Sequence, residues 1–229
     1  YVKEAFSLLC WNIHKEMGQH AFDARFGSLI AQWRPDFILL QEAVLDRRTA
    51  GYFEEFNFAA AINIGLRHRQ FGVLTAARSP FLRTIGLKTN RKEMRFTTRK
   101  SLLITSHPFQ DGTELTTVNI HAINFVSANI FIEEIERLVE TLSGIDGAMI
   151  VTGDFNTWSS KRLEYLKNFA KMIGLEAAEF ENHHHIKRRF SKPLDHLFYR
   201  GLKLQKAEAI DTGKVSDHNP IVATFTTLK

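Results

Sequence analysis

Six short apolar runs in this 229-residue chain each meet a carboxylate, an amide or an imidazole at one end. LLCW runs into Asn12, FILLQ into Glu42, TTVNI into His121, and MIVTG into Asp154, with Phe155 and Asn156 behind it. In the last two the order is reversed. Asp195-His196 opens LFY, and Asp217-His218 stands just ahead of Pro220 and IVATF. Gathered around one cleft, these residues give two amides, several carboxylates and up to three imidazoles. A phosphodiester anion repels an incoming nucleophile, so its hydrolysis calls for a cation and for donors where negative charge develops. Oxygen-rich donors of this kind select Mg²⁺ or Mn²⁺. Zinc calls for more imidazole or thiolate at short spacing. The run His183-His184-His185 has neither helical nor finger-like surroundings and reads as a solvated loop.

Strands must position these groups. Runs of four to six apolar or β-branched residues bounded by polar punctuation read as buried strands. They fall near 5–12, 37–41, 58–64, 71–76, 81–87, 100–105, 115–120, 148–152, 194–200, 206–210 and 221–226. The end of one strand lies beside the start of its antiparallel neighbour, so motifs of both kinds can share one rim. Asp111-Gly112 marks a hairpin. Helical spacing puts Phe22, Phe26, Leu29, Ile30 and Trp33 on one face over 20–34, and Pro35 ends that helix. A short helix is expected over 44–57, where Tyr52, Phe53 and Phe56 share a face. A third, over 128–142, turns Ile135, Leu138, Val139 and Leu142 inward. A fourth, over 159–173, presents Leu163, Leu166, Phe169, Ala170 and Ile173, with Ser159 or Ser160 as its cap and Gly174 as its stop. Gly153 is expected to permit a tight turn that sets Asp154 and Asn156 on one side. With no repeat and no linker, the chain reads as one mixed α and β domain over 1–229.

Composition supports a sizeable core, with 44% hydrophobic residues and 19 Phe. A net charge of +5 favours polyanionic partners, nucleic acid or phospholipid headgroups. Cations cluster at Arg67 and Arg69, at Arg91, Lys92, Arg95, Arg99 and Lys100, and at Lys187, Arg188, Arg189 and Lys192 just before Asp195. Trp158 and Phe190, near the rim, read equally as groups that stack on a base or dip into lipid and as cover for the core. Cys10, the single cysteine, excludes a disulfide framework and a thiolate metal site, and reads as a packing residue. No apolar stretch approaches the ~18 residues of a membrane span, and no secretory signal is visible. The chain starts at Tyr1 rather than Met, so a preceding segment is expected to have been removed. A cytoplasmic location is the expectation.

Taken in order, Trp11-Asn12, Gln41-Glu42, Asn119-Ile120-His121, Gly153-Asp154-Phe155-Asn156, Leu194-Asp195-His196 and Ser216-Asp217-His218-Asn219-Pro220 resemble the motifs of the endonuclease/exonuclease/phosphatase superfamily. Pancreatic deoxyribonuclease, bacterial sphingomyelinases and inositol polyphosphate phosphatases belong to it. NIHAINF, GDFNTWS and PLDHLFYRGL are most similar to its bacterial YafD-like branch. The resemblance implies an α+β fold, a deoxyribonuclease I-like four-layer α/β/β/α sandwich of two mostly antiparallel sheets flanked by helices. It also implies metal-dependent hydrolysis of a phosphate ester. Glu42 is then the principal ligand of Mg²⁺ (or Mn²⁺), with Asn12 and Asp217 beside it. Asp154 orients or deprotonates the attacking water, and Asn156 holds that geometry. His218, paired with Asp195, stabilises charge on the scissile phosphate, while His121 donates to a phosphate oxygen or the leaving group.

Asn124, Arg188 and Arg189 are candidate substrate contacts. His14 stands where the abasic-site endonucleases of the family carry an acidic residue, and His121 where they carry Tyr. Both differences point away from abasic-site repair. The expected activity is a nuclease acting on DNA. The alternatives are a phosphodiesterase or phosphatase for phospholipid or inositol-phosphate headgroups and a catalytically silent binding module. A monomer without an obligate protein partner is expected.

Overall fold

The computed structural model describes residues 1–66, 68–89, 100–124 and 126–228. Strand β1 (Ala5–Asn12) shows why its sequence is almost continuously apolar: both of its faces are covered. Phe6, Leu8 and Cys10 enter the core between two sheets, while Leu9 and Trp11 pack with Phe22, Phe26 and Leu29 of helix α1 (His20–Trp33). The first sheet joins β1 to β2 (Phe37–Leu45), β3 (Asn57–Leu66), β4 (Arg69–Ala77), β13 (Leu202–Ala209) and β14 (Ile221–Thr227) in the order β13-β14-β1-β2-β4-β3. The second contains β5 (Arg83–Lys88), β6 (Ser101–Pro108), β7 (Glu114–His121), β8 (Ala148–Asp154), β9 (Glu176–Ala177) and β12 (Asp195–Arg200), ordered β5-β6-β7-β8-β12-β9. Each sheet has one parallel pair, β1 with β2 and β7 with β8, and its other pairs are antiparallel.

Helices α3 (Ala128–Ser143) and α4 (Ser160–Met172) cover the outer face of the second sheet through Phe131, Ile135, Leu138, Leu166 and Phe169. With α1 on the other side, the layers run α/β/β/α. Each fully buried Phe or Leu in these cores contributes about 1.5–3 kcal/mol. Ser159 caps α4 by accepting from Arg162 N, and Gly174 (φ 68°) follows its end. Arg34 closes α1 in a left-handed conformation just before Pro35.

The helix expected over 44–57 is corrected. Val44 and Leu45 continue β2 against Phe71 and Gln70 of β4, and only Thr49–Tyr52 (α2) form a helical turn. Ladder partners across the sheet outweigh the local aromatic spacing, and Phe53 is buried against the α1 layer just after that turn. Strand β13 begins earlier than expected, and a small hairpin, β10 (Arg188–Arg189) with β11 (Lys192–Pro193), stands where only a loop was expected. Among the described residues no helix is long and apolar enough to cross a membrane.

Candidate active site

One rim of the sandwich carries the ends of β1, β7 and β8, the starts of β12 and β14, and Gln41-Glu42 of β2. Register aligns Asn12 with Gln41, His121 with Asp154, and Asp154 with Asp195. Glu42 reaches the rim through a bulge. The pairing Leu40↔Leu74 resumes at Ala43↔Gly72, so β2 carries one extra residue, and Glu42 takes φ 53°. Bulges re-aim side chains in this way, and a left-handed φ on a non-glycine residue must be held by its surroundings.

What holds it is a buried amide pair. Gln41 Nε2 donates to Asn119 Oδ1 (2.7 Å), and Asn119 Nδ2 donates to the carbonyls of Leu40 (3.1 Å) and Leu74 (2.8 Å). Asn119 therefore ties β7 of the second sheet to the bulge of the first, two residues before His121. Gly153 has a different role from the tight turn expected of it. It lies within β8 at φ 141°, and a Cβ there would sit 2.0 Å from the Ile120 carbonyl oxygen. Only glycine lets β8 approach β7 this closely.

The candidate residues converge. His121 Nε2 is 3.7 Å from Glu42 Oε1 and 3.6 Å from Asp154 Oδ2. His218 Nε2 is 3.8 Å from Asp154 Oδ2 and 3.9 Å from Asp217 Oδ1. His218 Nδ1 meets Asp195 Oδ2 at 2.8 Å. Asp154 accepts from Asn12 Nδ2 (3.0 Å) and from the Asn156 amide (2.9 Å), while Asn156 Nδ2 donates to the Ala122 carbonyl. Trp11 Nε1 donates to the His218 carbonyl, and Ser216 Oγ donates to the Asn12 carbonyl, so β1 fixes the loop that carries Asp217 and His218.

Burial sets the electrostatics. It pushes Asp154 up to about 6, against the pull of the neighbouring His218 charge. It drives the His121 imidazole well below its ordinary range, with Lys100 acting in the same direction. Burial alone would also depress His218, but Asp195 and Asp154 overcome it and hold the ring up at about 10.

All of these groups except Asp195 line a cavity of about 600 Å³, together with His14, Lys15, Lys100, Asn124, Lys187, Arg188 and Arg189. His196 is not among them. Its Nε2 meets Thr157 Oγ1 at 2.7 Å and its ring packs on Phe198, so the expected third imidazole is a structural residue. His183–His185 form a single 3-10 turn away from the cavity. Arg67, Arg91, Lys92, Arg95 and Arg99 lie outside the described residues.

Of three cations that matter here, the sequence offered only Lys100, as one member of a basic cluster, and singled out neither Lys15 nor Arg162. Lys15 Nζ stands 3.5 Å from Glu42 Oε2. Lys100 Nζ donates to His121 Nε2 at 2.9 Å, which leaves the ring proton on Nδ1. Arg162 is fully buried and donates to the carbonyls of Ile123, Asn156 and Val126, bracing the loops that carry Asn124 and Asn156.

As for a metal, no group of three or more His, Cys, Asp or Glu among the described residues is arranged to hold an ion. The donors present are Glu42, the Asn12 amide oxygen and Asp217, the last half-exposed at the mouth. That set fits a hard ion that keeps several waters and takes only one or two carboxylates. It does not fit a tetrahedral zinc centre.

Comparison with known proteins identifies the family and the fold. Residues 9–218 match the model of the Endonuclease/Exonuclease/phosphatase family. A UPF0294 protein of Yersinia enterocolitica is 34% identical over 229 residues, covering 97% of this chain and 84% of the relative. The endonuclease/exonuclease/phosphatase from Bacteroides vulgatus superposes with a TM-score of 0.75 at 14% identity, over 99% of this chain and 100% of that one. D. rerio TDP2 complexed with single strand DNA product gives 0.71 at 17% identity, over 98% and 100%. The chain belongs to the endonuclease/exonuclease/phosphatase family, whose members are hydrolases of phosphate esters and generally use divalent metal ions.

Proposed function

We propose that this protein is a Mg²⁺- or Mn²⁺-dependent phosphodiesterase acting on nucleic acid, with DNA as the expected substrate. One observation carries the reading. An unbroken series of contacts runs from Glu42 through His121, Asp154 and His218, which line a cavity walled by Lys and Arg, to Asp195 behind His218. In this reading Glu42 is the principal metal ligand, with Asn12 and Asp217 beside it, and the bound ion supplies positive charge for the phosphoryl oxygens.

Asp154 orients the attacking water and takes its proton. Its bonds to Asn12 Nδ2 and Asn156 N fix the carboxylate, and its raised proton affinity suits a base working near neutral pH. His218 has Nδ1 engaged by Asp195, so Nε2 is the nitrogen left to donate to a phosphoryl oxygen as charge builds. His121 accepts from Lys100 at Nε2, so it serves the leaving group or a second oxygen by holding the Lys100 ammonium there rather than by donating from Nε2 itself. Asn124, Arg188 and Arg189 contact the substrate. All of these groups come from one chain, so the reading calls for no protein partner.

A panel of esters tests the proposal: plasmid, single-stranded DNA, RNA and phospholipid or inositol-phosphate headgroup esters, each with Mg²⁺ or Mn²⁺. Plasmid nicking that disappears in EDTA and in His218→Ala is the expected result. Headgroup release without nicking would replace nucleic acid by a lipid or inositol-phosphate substrate. Silence on every ester, with no metal binding, would leave a binding module.

A further inference from the structure

The β10–β11 hairpin places a bulky ring where a small residue is cheapest. Arg188 pairs with Pro193 and Arg189 with Lys192, leaving Phe190-Ser191 as a two-residue turn with φ 47° and 63°. Such turns need two left-handed residues and favour Asn-Gly, so a Phe there is an outlier that asks for a reason. Core packing does not supply one, because Phe190 is 73% exposed. The tip is nonetheless held. A guanidinium nitrogen of Arg188 donates to the Ser191 carbonyl (3.0 Å), and the Phe190 ring meets Trp158 edge-to-face at 6.3 Å. Trp158 is anchored in turn, donating to Asn124 Oδ1 and lying under the Arg162 guanidinium at 4.5 Å. Arg188, Arg189 and Asn124 line the same cavity as Glu42 and His218.

We propose that Phe190, backed by Trp158, is a stacking platform for an unpaired nucleobase, with Arg188 and Arg189 taking the adjoining backbone phosphates. This rests on the nucleic-acid reading above and names its substrate class, a single-stranded or frayed region. A base within a duplex has both faces covered by its neighbours and cannot offer one to the protein, whereas an unpaired base can. The surroundings disfavour a lipid surface. Exposed Arg188, Arg189 and Ser191 flank the ring, with the Arg189 guanidinium 5.6 Å from its centroid, so inserting it into a bilayer would carry cations with it.

The test is the affinity for one labelled oligonucleotide as a single strand and as a duplex. It is measured by fluorescence anisotropy in EDTA, so that binding is separated from cleavage, and compared with metal-dependent cleavage by the wild type. Phe190→Ala is expected to weaken single-strand binding roughly ten-fold, a typical loss for one base–aromatic stack, with little change for the duplex. Phe190→Trp is expected to restore binding, and the melting temperature should hold because the ring is exposed. If the wild type cleaves DNA while Phe190→Ala binds the single strand undiminished, the platform is overturned and the nuclease reading stands. If the wild type neither binds nor cleaves any nucleic acid, both fall. Binding to anionic vesicles that Phe190→Ala alone abolishes would overturn the nucleobase in favour of a lipid surface.

Discussion

Each polar atom of His218 has a distinct neighbour, and those neighbours decide what the ring can do. Its carbonyl accepts from Trp11 Nε1, its amide donates to Ser216 Oγ, and its Nδ1 faces both oxygens of Asp195. Only Nε2 is left facing Asp154 and the cavity. Asp195→Asn keeps the shape of this support but removes the charge that keeps the imidazole protonated. We predict a fall in kcat of about 100-fold or more with KM nearly unchanged, read by steady-state kinetics on a phosphodiester. A rise in KM alone would assign the pair to substrate binding instead. The acids, amides and imidazoles of the rim were legible in the sequence because each interrupts an apolar run. Lys100 and Arg162 were not. A lysine in a basic stretch and an arginine in the first turn of a helix look solvated, and only the fold reveals that one bonds His121 and the other is buried against three carbonyls.

At the level of elements, strand ends do the positioning, and two of them depend on features that no periodicity announces. The first is the β2 bulge. FILLQ reads as a strand with Glu42 directly after it, but the strand runs on to Leu45, and Glu42 is turned to the cavity by one extra residue that Asn119 secures from the other sheet. Given the proposed role of Glu42, Asn119→Ala is expected to weaken Mn²⁺ binding roughly 10–100-fold, the usual cost of losing such a supporting residue, measured by calorimetric titration. A lower melting temperature with unchanged Mn²⁺ affinity would make Asn119 a purely structural residue. The second is the approach of β8 to β7. Gly153→Ala would drive a Cβ into the Ile120 carbonyl, at a φ that side chains rarely adopt. Its destabilisation should exceed by far the ~1 kcal/mol of an average substitution, as read by denaturant unfolding. A near-neutral effect would mean that β7 and β8 can separate freely. The 44–57 segment misled for a related reason: its aromatic spacing is helical, yet the partners that decide its structure lie across the sheet, where spacing along the chain carries no information.

Over the whole molecule, two sheets close on a core that is mostly apolar but carries a file of buried polar side chains through it. Phe6, Leu8, Phe37, Ile150, Leu197 and Phe225 fill the apolar part, whereas Thr105, His107, Thr117, Asn119 and Gln41 form buried hydrogen bonds in the rest. His107 lies fully buried between the rings of Phe37 and Phe81, and burial pushes its imidazole down to about 4. The unfolded chain takes up this proton near pH 6.5 and the folded chain only near 4. The stability it contributes is therefore complete above about 6.5 and lost as pH falls towards 4, a loss of about 3 kcal/mol. Unfolding measured at pH 7 and pH 4 should show this loss reduced in His107→Asn, which cannot titrate. An equal loss in both proteins would place the acid sensitivity elsewhere.

The central claim is that side chains from both sheets act as one metal-assisted hydrolytic site. Its most direct test is the rate of bis-p-nitrophenyl phosphate hydrolysis, titrated with Mn²⁺ in the wild type, Glu42→Gln and His218→Ala. A saturable, EDTA-sensitive rate that both substitutions abolish is the predicted result. Turnover that persists in EDTA, or that survives both substitutions, would contradict it.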